Sequence, residues 1–225
     1  LLSKKWTNEA AGDGSSLMAS IDDKVENLTD LALNKPLVVF GRSENVDYIH
    51  IDNVKGMELM TEYALDKGYK KLAFVGIKEN KKFTQDRFDG YRNILKQRNI
   101  KYEEKLAIFT DNNANSGFLA GKKLLSDNPS IDCVLCSSDD QAAGVIQAAN
   151  LLNRPVPESL AVTGFDGLGK ELIISPQLTT IHQPIYEIGI ELAKLLLKKI
   201  HHPRSVTTSV NYYAPVLKVG KSTRT

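Results

Sequence analysis

Several things are scarce in this chain of 225 residues, and each scarcity excludes something. There are two cysteines, Cys133 and Cys136, three apart in an apolar run. On a strand they point to opposite faces, so they read as reduced core residues of a cytosolic protein, not as a redox pair. His201 and His202 are adjacent and cannot share a helix face, which argues for a solvated helix end over a metal site. No apolar run approaches the ~20 residues of a membrane span, and no signal peptide is visible. There is no G-x-G-x-x-G, Walker lysine, nucleophile elbow or metal-ligand cluster, so no enzyme, cofactor or metal is expected. Lysines and arginines number 29 against 27 acids, a net charge of +2. No basic stripe stands out, so this stretch is not expected to grip DNA by itself.

What is present is alternation. Ile131–Cys136 is a nearly continuous apolar run, the signature of a strand buried on both faces. Ser137 and Ser138 break it, and Asp139 and Asp140 stand where an N-cap and a first-turn acid belong. From Gln141 to Leu152 the polar residues Gln141, Gly144, Gln147 and Asn150 recur every third position, which predicts a helix with one narrow wet stripe. After a proline-bearing loop, Leu160–Phe165 is a second strand, and it too ends in an acid, Asp166. Strand, helix and strand at this length make a βαβ unit with parallel strands. Both strands then deliver a carboxylate to one sheet edge, the edge where open α/β sheets bind ligands.

Elsewhere the pattern repeats. Lys4 to Asp23 reads as a polar, flexible loop, and Leu37–Phe40 and Tyr48–Ile51 as strands. A helix follows Asn53, with Gly56, Leu59, Met60, Tyr63 and Ala64 on one face. Lys71–Gly76 is a strand and Asp86–Arg98 a helix burying Phe88, Tyr91 and Leu95. A weak strand spans Leu106–Phe109, and a helix capped by Asn115 or Ser116 runs to Ser126. Pro184 opens the clearest helix, with Ile185, Ile188, Leu192, Leu195 and Leu196 at helical spacing. Thr207–Val219 reads as extended. The class is α/β.

Five motifs occur in order: D-N-x-x-G at Asp52–Gly56, R-x-x-G-Y at Arg87–Tyr91, S-D-D-Q-A-A-G from Ser138, V-P-E-S-L-A-V-T-G-F-D ending at Asp166, and L-T-T-I-H-Q-P at Leu178–Pro184. Together they resemble the effector-binding domain of the LacI/GalR family of transcriptional regulators, over roughly Leu37 to the C-terminus. Val216–Thr223 is similar to the end of maltose-type regulators. The resemblance implies two Rossmann-like lobes of periplasmic-binding-protein type I with a ligand cleft between them. It implies an N-terminal lobe from residues 1–68 plus 182–203 and a C-terminal lobe from 69–181 plus 204–225. The N-terminal lobe is expected to be incomplete, and a DNA-binding headpiece to lie upstream of this chain.

Candidate site residues follow from chemistry and resemblance together. Asp166 can take two sugar hydroxyls while the Phe165 ring covers an apolar sugar face. The plainer alternative is a turn-forming aspartate before Gly167. Asp139 is the parallel case, with N-capping as its alternative and Asp140 as the structural partner. Arg87 offers five fixed donors to hydroxyls or a carboxylate, against a surface salt bridge with Asp86 or Asp89. Asp52 either faces the ligand or caps the following helix. Ser3 stands where the family has a small polar contact. Asn112 departs from the family, which often has an aromatic there, and an amide cannot stack. Losing Arg87 or Asp166 is expected to weaken ligand binding about ten- to a hundredfold with little effect on stability.

The reading that results is the effector-sensing core of a bacterial repressor: cytoplasmic, homodimeric, binding a mono- or disaccharide, and acting on operator DNA through its headpiece. Helix residues Gly56–Lys67 are candidates for the dimer interface. The alternative is a periplasmic sugar-binding protein serving a transporter.

Overall fold

A computed structural model describes residues 15–18, 36–41, 47–78, 82–202 and 210–224. In chain order the described elements are β1 (Ser15–Met18), β2 (Leu37–Phe40), β3 (Asp47–Ile51), α1 (Asn53–Asp66), β4 (Leu72–Ile77), α2 (Lys82–Gln97) and a 3-10 turn (Glu104–Leu106). They continue with β5 (Ala107–Thr110), α3 (Ala114–Asp127), β6 (Cys133–Cys136), α4 (Asp139–Leu151), β7 (Ala161–Asp166) and the one-turn α5 (Lys170–Ile173). Then come β8 (Thr179–His182), α6 (Ile185–His201), β9 (Val210–Tyr213) and β10 (Val216–Lys218). The chain divides into two compact units, 1–52 with 184–214 and 53–183 with 215–225.

The first unit carries a parallel sheet in the order β1-β2-β3-β9. Helix α6 packs on it through Ile188 and Leu192, which meet Val38, Ile49 and Ile51. Glu187 sits in the first turn of α6 and Lys198, Lys199 and His201 in the last, which suits the helix dipole. Lys199 also pairs at 2.5 Å with the buried Asp47.

The second unit carries a sheet in the order β10-β8-β7-β6-β4-β5, parallel except for β10. Its central strands β4, β6 and β7 are buried on both faces, as their largely apolar runs require. On one face α1 and α2 bring Met57, Met60, Tyr91 and Leu95 against Phe74, Leu135, Phe165 and Ile181. On the other, α3 and α4 bring Leu124, Val145 and Ile146 against Val75, Val134, Cys136 and Val162. The two cysteines fall on opposite faces, both free, and burial pushes both thiols up, away from the reactive thiolate.

Motif glycines set the helix approach. A Cβ on Gly90 would strike the backbone of α1 at Val54 O, and one on Gly56 would lie 2.8 Å from Phe165 Cζ. A Cβ on Gly144 would strike the α3 backbone at Ala114 O and Phe118 N. The helices of each pair cross closer than any larger residue allows.

Several expectations need correction. The unit boundaries fall at 52/53, 183/184 and 214/215, where 68/69, 181/182 and 203/204 were expected. Helix α1 goes with the second unit because Met57 and Met60 bury against that sheet, and β9 goes with the first because it pairs with β3. The extended stretch 207–219 is therefore two strands in two units. Strand β1 lies inside the segment expected to be loop, held there by parallel pairing with β2. On α1, Met57 and Thr61 are buried along with Gly56, Met60 and Ala64, while Leu59 and Tyr63 are half-buried against the same core. On α4 the wet stripe is only Gln147 and Asn150; Gln141 and Gly144 are buried.

Candidate functional site

Five strands of the second sheet run parallel, so their carboxyl ends share one edge. Arg87 reaches this edge from the second turn of α2 and is 4% exposed. Its guanidinium is held at Nε, at Nη1 and on one face. Nε donates to Asn53 Oδ1 at 2.8 Å, Nη1 donates to Ser137 O at 2.5 Å, and Nη1 stands 3.1 Å from Asp166 Oδ1. The planar group lies 3.8 Å over the Phe165 ring. Burial pushes the Arg87 pKa down, opposed by the Asp166 and Asp139 carboxylates.

Asp166 ends β7 at φ 115°, in the left-handed region an aspartate seldom occupies. Its Oδ1 accepts from Gln183 Nε2 at 2.6 Å and faces Arg87. Burial raises its pKa; Arg87 and the Gln183 bond pull the other way. Arg87 Nη2 and Asp166 Oδ2 have no hydrogen-bond partner among the described residues. The site thus keeps one strong donor and one strong acceptor uncommitted.

Asp139 is at the same edge in a different role. It is 3% exposed, and both its oxygens are engaged: Oδ1 accepts from Thr180 Oγ1 at 2.6 Å and Oδ2 from Gly167 N at 2.8 Å. Gly164 clears space for it, since a Cβ there would strike Asp139 Oδ1. Burial pushes its pKa up to about 7, against the lowering effect of those two bonds. Asp139 therefore welds the start of α4 to β8 and the turn after β7. The N-cap of α4 is Ser138, whose Oγ accepts from Gln141 N at 3.2 Å. Asp140 pairs on the surface with Lys170 at 2.8 Å.

Asn112, after β5, is exposed and accepts at Oδ1 from Ser138 Oγ at 2.5 Å, which brings it to the same edge. Phe165 is not a ligand-facing ring. It is wholly buried between Gly56, Ile181 and the guanidinium of Arg87, because strand alternation turns it to the face opposite its neighbour Asp166. Asp52 ends the first unit, its N–H donating to Tyr213 O at 3.4 Å. Ser3 lies outside the described residues.

Three residues of this edge went unassigned in the sequence although they sit inside the quoted motifs. Gln141 is fully buried and donates through Nε2 to Gly76 O at 3.0 Å and Asp111 O at 3.3 Å, so it ties the ends of β4 and β5 to α4. Thr180 and Gln183 hold Asp139 and Asp166 respectively. Their only signal was membership of a motif; a polar residue next to a strand end does not declare its partner. Among the described residues no His, Cys, Asp and Glu cluster could hold a metal ion. No helix among them is long and apolar enough to cross a membrane.

The model of the periplasmic binding protein-like domain matches residues 61–223. The chain belongs to that family. The curated proteins it is similar to are named as an HTH-type transcriptional regulator and an operon repressor. It is 35% identical over 193 residues to an uncharacterized HTH-type transcriptional regulator, YvdE, of Bacillus subtilis (strain 168), covering 85% of this chain and 60% of that protein. It is 30% identical over 170 residues to the ribose operon repressor of Halalkalibacterium halodurans, covering 75% of this chain and 50% of the repressor. The chain thus spans about half to 60% of the length of these relatives. Among solved structures it is similar to the transcriptional regulator CelR–cellobiose complex, with a TM-score of 0.87 and 26% identity over 98% of this chain and 68% of that one.

Proposed function

We propose that this chain is the effector-sensing part of a LacI-type transcriptional repressor of the cytoplasm, that it is not an enzyme, and that its effector is a mono- or disaccharide. The observation that carries this reading is the Arg87–Asp166 pair at the carboxyl edge, with Nη2 and Oδ2 uncommitted beside it. A sugar presents adjacent hydroxyls, one able to accept from Nη2 while its neighbour donates to Oδ2. Asn112 adds an exposed amide on the same edge. Regulator relatives that include a ribose operon repressor, and a structural neighbour in complex with cellobiose, support this over a transporter's sugar-binding protein. Asp139, with both oxygens occupied, is assigned the role of holding the edge together. Asp52 and Ser3 keep their proposed ligand roles on family resemblance alone.

DNA contact belongs to a helix-turn-helix segment of the kind named in the relatives, outside the residues described. The effector acts by binding one regulatory state more tightly than the other. Two-fold operators call for a homodimer. The surface that suits a second copy is the turn around α5, where Leu168, Leu172 and Ile173 are exposed, Ile173 by 84%. Helix α1 is a poorer candidate, since its apolar side is spent on the second sheet.

A thermal-shift screen against mono- and disaccharides, ribose and cellobiose included, followed by calorimetry on the hits, tests the reading. A sugar that raises the melting temperature and loses affinity in Asp166→Ala is expected. Absence of any sugar response across the panel would remove sugars as the effector class.

A further inference from the structure

Two amides grip the Arg87–Asp166 pair, and they stand where the chain passes between units. Asn53 is the first residue of the second unit, and Gln183 is the last before the chain enters 184–214. Asn53 Oδ1 takes the Nε hydrogen of Arg87 at 2.8 Å. Gln183 binds Asp166 twice, N donating to Asp166 O at 2.9 Å and Nε2 to Oδ1 at 2.6 Å. Gln183 is buried at 8% exposure, so its amide is there for these bonds rather than for water.

Left alone, an arginine and a carboxylate favour the two-pronged pair, with two parallel N–H···O bonds. That pair would consume Nη2 and Oδ2. Here the guanidinium is turned by Asn53 at Nε and by Ser137 O at Nη1, and the carboxylate is turned by Gln183 at Oδ1. The positive φ of Asp166 is held by the same doubly bonded glutamine.

We infer that Asn53 and Gln183 are positioning residues that keep the Arg87–Asp166 pair from closing two-pronged, reserving Nη2 and Oδ2 for the ligand. The ligand half of this inference rests on the sugar-binding reading; the geometry of the pair does not.

The test uses the variants Gln183→Leu, Asn53→Leu and Asn53→Asp, in two measurements. In calorimetry with ribose and cellobiose, each leucine variant should bind at least tenfold more weakly than the parent. Asn53→Asp, which still accepts from Nε, should bind within about threefold of the parent. In nitrogen NMR of the arginine guanidinium, with no sugar present, both leucine variants should slow rotation about the Arg87 Cζ–Nε bond as the two-pronged pair forms. Asn53→Asp should leave that rotation unchanged. Should neither sugar bind the parent, the NMR measurement still decides this inference, and the full sugar panel decides the sugar reading. Unchanged Arg87 rotation in both leucine variants overturns it, as does parental sugar affinity in both.

Discussion

Arg87 Nη1 lies 3.1 Å from Asp166 Oδ1, with the arginine 4% exposed and the aspartate side chain 27% exposed. The ligand-binding candidates are therefore also a structural pair. Arg87→Ala strands Asp166, leaves Ser137 O and Asn53 Oδ1 without their donor, and opens the space above Phe165. Removing one partner of a buried pair costs about 3–5 kcal/mol, and the partial exposure of Asp166 reduces that to about 2–4 kcal/mol. Urea denaturation should show that loss, in contrast to the small effect on stability that the sequence led us to expect for Arg87 as a ligand contact. Sugar binding should fall in parallel. A variant as stable as the parent would show that the pair is not closed in solution.

Asp139 gives stability an unusual pH dependence. Its pKa rises from an ordinary 3.8 to about 7 on folding, chiefly through burial. The folded state thus holds a proton that the unfolded state has released, so stability falls as pH rises from about 4 to about 7 and levels off above. The raised Asp166 pKa has the same sign. The Asp139 contribution is at most about 4 kcal/mol. Melts across this range should show the slope in the parent and a flatter profile in Asp139→Asn. A parent whose stability climbs between pH 4 and 7 would contradict this.

Gly144→Ala should be among the more damaging small substitutions. Its added methyl meets backbone atoms of α3 at Ala114 and Phe118, which cannot rotate aside. A cost of about 1–3 kcal/mol is expected from forcing α3 and α4 apart. An alanine at the exposed Asn150 of the same helix should change stability by less than about 0.5 kcal/mol. Equal effects of the two substitutions would show that the helices do not cross this closely.

The proposed dimer can be broken at α5. Ile173→Glu and Leu172→Glu put charge on side chains that are 84% and 64% exposed, so neither should disturb the fold. Sedimentation should show a dimer for the parent and a monomer for both variants. A dimer that survives both changes would place the interface elsewhere.

The α/β class and the βαβ unit from Ile131 to Asp166 were legible, because period 2 and period 3.6 differ sharply over long apolar runs. So were the opposite-facing cysteines and the buried stripe of α6. The allocation of α1 was not. Its buried face runs through Met57 and Thr61, and an amphipathic helix carries no mark of which sheet it covers. At the site, sequence picked out Arg87 and Asp166, which do meet at one sheet edge. It misjudged Phe165, whose neighbour faces the opposite way, and it gave Asp139 an open carboxylate when Thr180 and Gly167 already hold both oxygens. Hydrogen-bond partners supplied by other strands are invisible to local spacing.

The stretch 215–225 completes a sheet whose other strands were made long before it. Ser222 Oγ donates to Val162 O at 2.6 Å and accepts from Thr179 N at 2.9 Å, while β10 pairs along β8. During synthesis, β7 and β8 leave the ribosome with those groups unmet, and all of 184–214 must follow before they are satisfied. The second unit therefore cannot finish folding as its own segment emerges. A nascent chain halted at Ala214 should expose the β8 edge, and there a chaperone or another unfinished copy would find a strand to pair with.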